Sequence, residues 1–201
     1  CAQICRFAFD IENNEINFTM ATKDLNMASL LDKLIMTGVK SLKVEGRMRS
    51  VYYLATVISS YRRLIDAYYN GILNEDLILK EEKILSRVAN RETSTHFYLK
   101  EADETDQYYT GRQELSNQDF LALVLSYDSD THLATITQRN YFKVGDEVEI
   151  FTPSGEIISF TVEKLYDENM NSIEVARHPE EILKLYVPEK IEKDSMMRIK
   201  I

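Results

Sequence analysis

Two hydrophobic patterns divide the chain. Up to about residue 89, apolar residues recur at helical spacing between short extended stretches, and from about 118 they alternate with polar ones. Residues 16–20, Ile-Asn-Phe-Thr-Met, predict a short strand. Residues 24–37 predict a helix capped by Thr22, with Leu30, Leu31, Leu34 and Ile35 as its buried stripe. Gly38 is placed to end that helix in a left-handed turn. Residues 39–45 predict a second strand, broken by Gly46. Ser50 then caps a long helix over 51–70, with Val51, Leu54, Ala55, Ile58, Tyr61, Leu64, Ile65 and Tyr68 at helical spacing and Gly71 closing it. A third helix is predicted over 75–89, capped by Asn74.

Strand, helix, strand, helix is the rhythm of a parallel α/β sheet or barrel. Two such units cannot close a barrel of eight. Residues 1–89 therefore read as the last portion of a barrel, and the chain as the carboxy-terminal piece of a longer protein. Residues 90–117 are polar and irregular and read as an extended linker. Residues 118–201 alternate apolar and polar positions in Phe120-Leu-Ala-Leu-Val-Leu, Leu133-Ala-Thr-Ile-Thr, Asp146-Glu-Val-Glu-Ile-Phe, Ile157-Ile-Ser-Phe-Thr-Val and Met197-Arg-Ile-Lys-Ile. Turn residues bound each stretch, and strands of this length and spacing predict a small closed antiparallel β-barrel. The fold class is α/β followed by all-β.

The 201 residues carry a net charge of -9, and residues 116–201 hold most of it, with 16 acids against 9 bases. An acidic chain does not attract DNA or other nucleic acid non-specifically, so an RNA-handling surface would have to be a local basic patch. No apolar run approaches the roughly 20 residues of a membrane span, and no signal peptide is visible. The chain reads as cytoplasmic. No feature speaks to oligomeric state.

Three constellations can carry chemistry. Cys1 and Cys5, with three residues between them, suit one iron–sulfur cluster more than a disulfide, since the cytosol keeps thiols reduced. Such a cluster usually takes four cysteines, and the alternative is a pair of unrelated thiols. Around Gly46, Glu45, Arg47 and Arg49 bring a carboxylate and two guanidiniums to the end of the expected strand, where parallel α/β folds face their ligands. Arginine pairs bidentately with carboxylate or phosphate, and the helix after Ser50 aims its positive end the same way. The alternative is a Glu–Arg brace. Lys23 and Asp24, just past the first strand, occupy the equivalent place and are expected to line the same face. His96, His132 and His178 are scattered, and the tyrosines at 52, 53, 61, 68 and 69 read as helix packing. No Gly-rich phosphate loop, G-x-S-x-G elbow or H-E-x-x-H motif is present.

The block Lys43-Val-Glu-Gly-Arg-Met-Arg-Ser-Val-Tyr-Tyr-Leu-Ala-Thr-Val, continuing to Tyr61-Arg-Arg-Leu-Ile-Asp, resembles the signature of the U32 peptidase family, the collagenase-like proteases. Cys1-Ala-Gln-Ile-Cys5 resembles the end of its cysteine region, and Thr22-Lys-Asp-Leu its Ser-Lys-Asp-Leu segment. Asn90-Arg-x-x-x-Thr-x-Phe-Tyr resembles the stretch after the barrel, with His96 where Gly is common. Phe142-Lys-Val-Gly-Asp-Glu-Val-Glu-Ile resembles the carboxy-terminal domain. The resemblance implies a TIM-like barrel ending at residue 89 and a β-barrel from 118. It implies action in tRNA modification: prephenate-dependent 5-hydroxylation of the wobble uridine, with an iron–sulfur cluster. Cys1 and Cys5 would then be two of four cluster ligands, prephenate a co-substrate and tRNA the partner. The same family also carries a peptidase reading, in which Glu45 could be an acid/base, and the β-barrel could be a non-catalytic docking module. With half a cluster site, the piece alone is expected to be inactive.

Overall fold

The computed structural model describes residue 4 and residues 7–10, 18–47, 49–89, 91–107 and 119–200. It divides into two compact units, Cys1–Ser116 and Asn117–Ile201.

In the first unit, β1 (Ala8–Phe9) pairs antiparallel with β2 (Phe18–Thr19), at the place of the strand expected over 16–20. Next come β3 (Asp24–Leu25), a 3-10 turn at Ala28–Leu30 and α1 (Leu31–Met36). The helix expected over 24–37 is thus shorter, because its first residues are taken by β3. Thr22 does not cap it but forms an antiparallel bridge with Gln107. Neither α1 nor the 3-10 turn before it has a side-chain cap, and Asn26 Oδ1 accepts from Ala28 N at 3.0 Å just ahead of the turn. Gly38 takes φ +84° at the end of α1, as expected of a left-handed stop. Residues 39–46 form no strand. They have no ladder partner among the described residues, and without one an extended segment has nothing to hold it as a strand.

Two long helices follow. α2 (Val51–Tyr69) is capped by Ser50, whose Oγ accepts from Tyr53 N at 3.1 Å. α3 (Glu75–Val88) is capped by Asn74, whose Oδ1 accepts from Leu77 N at 2.9 Å. Both match the expected helices because caps and i,i+4 bonds are local. The face α2 buries is different. Tyr52, Thr56, Val57, Ser60, Leu64 and Ala67 are buried, whereas Val51, Ile58 and Tyr69 are exposed. Arg63 ties α2 to α3 through a fork on Glu81, Nε to Oε1 at 2.7 Å and Nη2 to Oε2 at 2.8 Å.

β4 (Thr93–Ser94) pairs in parallel with β3, and parallel pairing among the described residues is confined to this ladder. The described residues do not by themselves form a barrel of parallel strands. The described part of the expected linker, 91–107, is folded rather than extended. It holds β4, 3-10 turns at His96–Tyr98 and Glu104–Asp106, and a capping box on Asp103. Buried Asp106 accepts from the Ser94 hydroxyl, and its carbonyl accepts from Lys23 N at 3.0 Å. These bonds tie the segment's backbone and the Asp106 carboxylate into the unit.

The second unit is built on one antiparallel sheet. Its strands are β5 (Phe120–Asp128), β6 (Leu133–Gln138), β8 (Glu147–Phe151), β9 (Ile157–Thr161), β10 (Leu165–Tyr166), β11 (Ser172–Ile173), β13 (Ile182–Tyr186) and β14 (Met196–Ile199), in the order β11-β10-β13-β6-β5-β14-β8-β9. A separate ribbon joins β7 (Phe142–Lys143) to β12 (Val175–Ala176). Among the described residues the outer strands β11 and β9 do not pair with each other, so the sheet is a curled half-barrel, not the closed barrel expected. Register shifts at Val124/Ser126 and Met197/Arg198 mark bulges, which bend and twist a sheet. The core holds Val124, Ile136, Val148, Ile150, Leu183, Leu185 and Met197, with Phe142 and Ala176 from the ribbon. Arg198, 1% exposed, sits opposite Glu149 and places Nη2 2.5 Å from its Oε1. No helix among the described residues is long and apolar enough to cross a membrane.

Candidate functional site

A cavity of about 1230 Å³ opens within the first unit. Its walls are β3, the coil 41–47 and the outward apolar face of α2, including Ile58, Tyr61 and Ile65. The residues expected in the buried stripe of α2 thus partly face this cavity, and the opposite face carries the packing.

The charged lining is uneven. Lys43, Arg47, Arg49, Arg62 and Arg91 face the cavity against the carboxylates of Asp24 and Glu45. Asp24 is the anchor. Arg49 Nη2 donates to its Oδ2, and Arg91 Nη1 lies 3.9 Å from its Oδ1. All three are largely sheltered, so the pairing is screened less than a surface pair. The Arg49 guanidinium also lies 5.0 Å from the centre of the Tyr53 ring, within cation–π range. Burial, and then the Asp24 carboxylate, push the Tyr53 hydroxyl above its ordinary pKa. Burial does the same for Tyr61, whose hydroxyl accepts from Met27 N at 2.8 Å and donates to Asn26 Oδ1 at 3.2 Å. Both phenols are protonated at neutral pH and serve as hydrogen-bonding groups, not as bases.

The structure brings Asp24, Glu45, Arg47 and Arg49 to one cavity. Glu45 is exposed, and its Oε1 accepts from Arg47 N at 3.0 Å, so it caps the turn at Gly46. Lys23 is not part of the lining; its Nζ pairs with Glu92 at 2.7 Å. Gly46 is needed for space, since a Cβ there would collide with the Leu54 side chain of α2. Reading the sequence missed Lys43, Arg62 and Arg91 as lining cations and Tyr53, Tyr61 and Tyr98 as lining aromatics. Lys43 and Arg91 stood inside the motif blocks already quoted, which was the available signal. Tyr61 and Arg62 stood in the same signature, in Tyr61-Arg-Arg-Leu-Ile-Asp, but as helix residues with no sign that they face a cavity.

Cys1 and Cys5 lie outside the described residues. Thiolates suit an iron–sulfur cluster, but among the described residues no group of three or more His, Cys, Asp or Glu is placed to hold a metal ion. The described histidines build no nucleophile–base pair either. His96 Nε2 meets the Lys23 carbonyl at 2.9 Å, and His132 Nδ1 meets the Tyr127 hydroxyl at 3.0 Å in the second unit. The cavity is equipped to bind an anion, with arginine forks held by a shared carboxylate.

Residues 1–108 match the family model of peptidase family U32, and residues 116–198 match that of the U32 C-terminal domain. The chain is 38% identical to the "tRNA hydroxylation protein P1" of Bacillus subtilis (strain 168), across 98% of this chain and 50% of that protein. It is 29% identical to the "tRNA hydroxylation protein P" of Haemophilus influenzae, across 90% of this chain and 38% of that one. It is also 29% identical to a "Collagenase" of Porphyromonas gingivalis, across 82% and 48%. The chain thus spans half or less of the length of these relatives. A crystal structure of the C-terminal domain of a Geobacillus thermoleovorans U32 peptidase is 42% identical over 43% of this chain and 97% of that domain, with a TM-score of 0.41. With its cavity-bearing unit matched by the one model and its β unit by the other, the chain belongs to peptidase family U32.

Proposed function

We propose that the full-length protein acts in tRNA modification, in the prephenate-dependent 5-hydroxylation of the wobble uridine. The observation that carries this reading is the 38% identity to a tRNA hydroxylation protein across 98% of the chain. The cavity supports it. A chain of net charge -9 gathers five cations against Asp24 and Glu45 in one lining, with Arg62 also paired to Asp66 just outside it, an excess of positive charge that suits an anion. Both tRNA phosphate and the carboxylates of prephenate suit such forks. Cys1 and Cys5 would supply two thiolates to an iron–sulfur cluster, which would bring the redox chemistry. Arg49 and Arg91 would bind and orient anionic groups while Asp24 keeps their forks aligned.

In the full-length protein we place residues 1–89 at the end of a TIM-like barrel. The parallel β3–β4 ladder and the exposed Met36, Val51 and Ile58 favour a further layer against this unit. Action on tRNA would make the protein cytoplasmic.

Anaerobic reconstitution of the full-length protein and nucleoside analysis of tRNA from a deletion strain test the reading. Iron should bind, and hydroxylated uridine should vanish on deletion. It should return with the wild-type gene and not with Arg49→Ala. Absence of iron, together with unchanged tRNA in the deletion strain, would sink it. The "Collagenase" relatives keep a peptidase reading open. Gelatin cleavage by purified full-length protein, abolished by Glu45→Gln, would establish it. The exposed, turn-capping position of Glu45 does not favour it.

A further inference from the structure

We propose that Phe97 and Tyr98 form a stacking platform for an unpaired RNA base, beside the cations that would take the flanking phosphates. This rests on the tRNA reading and says which residues of the same site would hold the nucleotide.

Phe97 is 69% exposed and Tyr98 47% exposed, yet their rings lie stacked, with centroids 4.9 Å apart and planes at 20°. The turn that carries them is pinned from below. His96 sits at φ +47°, a left-handed backbone that non-glycine residues seldom adopt. Its N–H donates to Ser94 Oγ at 2.9 Å, and its Nε2 meets the Lys23 carbonyl at 2.9 Å. Ser94 in turn donates to buried Asp106, and Tyr98 N donates to Thr95 O at 3.2 Å. The backbone beneath two large, exposed and mutually stacked rings is thus fixed. A pre-set aromatic surface binds a flat ligand without the entropy cost of ordering itself.

Charge selects the occupant. Tyr98 lines the same cavity as Lys43, Arg47, Arg49, Arg62 and Arg91. Aromatic faces next to clustered cations are the equipment of single-stranded nucleic-acid sites, where bases stack and the backbone tracks the charge. An apolar peptide would leave the cations unused, and a small dicarboxylate would leave the exposed rings unused. A duplex offers no free base face, so the fit is to a loop or bulge.

The test measures binding of full-length protein to a tRNA anticodon stem–loop and to a fully paired RNA duplex. The variants are Phe97→Leu, Tyr98→Leu, the double Leu variant and Phe97→Trp. Leucine keeps apolar bulk but cannot stack. The Leu variants should bind the stem–loop about 10-fold or more weakly, with duplex binding and melting temperature unchanged, and Phe97→Trp should match wild type. Stem–loop affinity within about twofold of wild type in the double Leu variant would overturn the platform while leaving the tRNA reading intact. So would equal losses for stem–loop and duplex. A drop in melting temperature, or loss of a dimer, would also overturn it, by showing that the rings pack on protein. Wild-type protein that binds neither RNA would bring down the tRNA reading and the platform together.

Discussion

Replacing Arg198 by methionine takes away a guanidinium that is 1% exposed and strands a Glu149 carboxylate that is 5% exposed. In the intact unit Nε and Nη2 both lie 2.5 Å from Glu149 Oε1, and the guanidinium lies 5.0 Å from the centre of the Phe151 ring. Both groups have left water, so the pair itself is worth little net, but breaking it from one side leaves a buried charge. That costs about 3–5 kcal/mol. The loss of the contact with Phe151 adds about 0.5–1 kcal/mol. Against a domain stability of about 5–15 kcal/mol, this is about a quarter or more of the whole. Glu149→Leu alone should cost a similar amount. The double variant Glu149→Leu/Arg198→Met should cost far less than the sum, because packed apolar residues often replace a buried pair at no loss. The chain contains no tryptophan. Native-state hydrogen exchange on peptides spanning β8 and β14 is therefore the suitable assay, on wild type, both single variants and the double. A coupling of at least about 2 kcal/mol is expected. An Arg198→Met cost under about 1 kcal/mol, or single costs that simply add, would show that the pair behaves as a screened surface pair and refute the reasoning.

Other expectations follow from the first unit. Gly46→Ala should lower stability by about 1–3 kcal/mol, since its Cβ must displace the Leu54 side chain; an unchanged melting temperature would contradict it. At position 96, φ +47° is tolerable for histidine but poor for a β-branched side chain, so His96→Val should destabilise by more than about 1 kcal/mol. His96→Gly should stay within about 1 kcal/mol of wild type, since relief of strain offsets the lost Nε2 contact and the greater backbone freedom of glycine; thermal melting separates the two. Lys100, and then the Thr105 hydroxyl and N–H, hold the Asp103 carboxyl down at about 2, against an ordinary 3.8. The Ser94 hydroxyl, and then Asp103 N–H, lower Asp106. Both folded values are depressed, so their contribution is present above about pH 4 and lost as the pH falls toward 2. Amide protection of residues 103–107 should decline over that window, and protection that is flat with pH would count against it.

Much of the local structure was legible in the sequence. Ser50 and Asn74 announced α2 and α3, because a cap and a helical ladder are made by residues a few places apart. Alternation announced β5, β6, β8 and β9, because period two is a property of the strand itself. The two-residue strands β10, β11 and β12 are too short to show any period. The motif around Gly46, through the family it resembles, brought Glu45, Arg47 and Arg49 into view. It did not reveal their partners, since the approach of Arg91 to Asp24 joins residues far apart in the chain.

Wherever burial depended on a distant neighbour, the sequence alone was insufficient. α2 has two apolar faces, and only its packing against α3 decides that Thr56, Ser60 and Ala67 go inside while Ile58, Tyr61 and Ile65 turn to the cavity. Residues 39–45 have strand composition, yet with no ladder partner among the described residues they remain coil, and Ser41 to Glu45 line the site. Arg198 reads as a polar residue alternating outward from β14, yet it is among the most buried side chains of its unit, because Glu149 stands opposite it on β8. Sequence by itself settles what depends on near neighbours: caps, periodicity and the family to which the motifs point. The tertiary structure settles what each face meets, and so which cations share a cavity and which charges can be taken out of water.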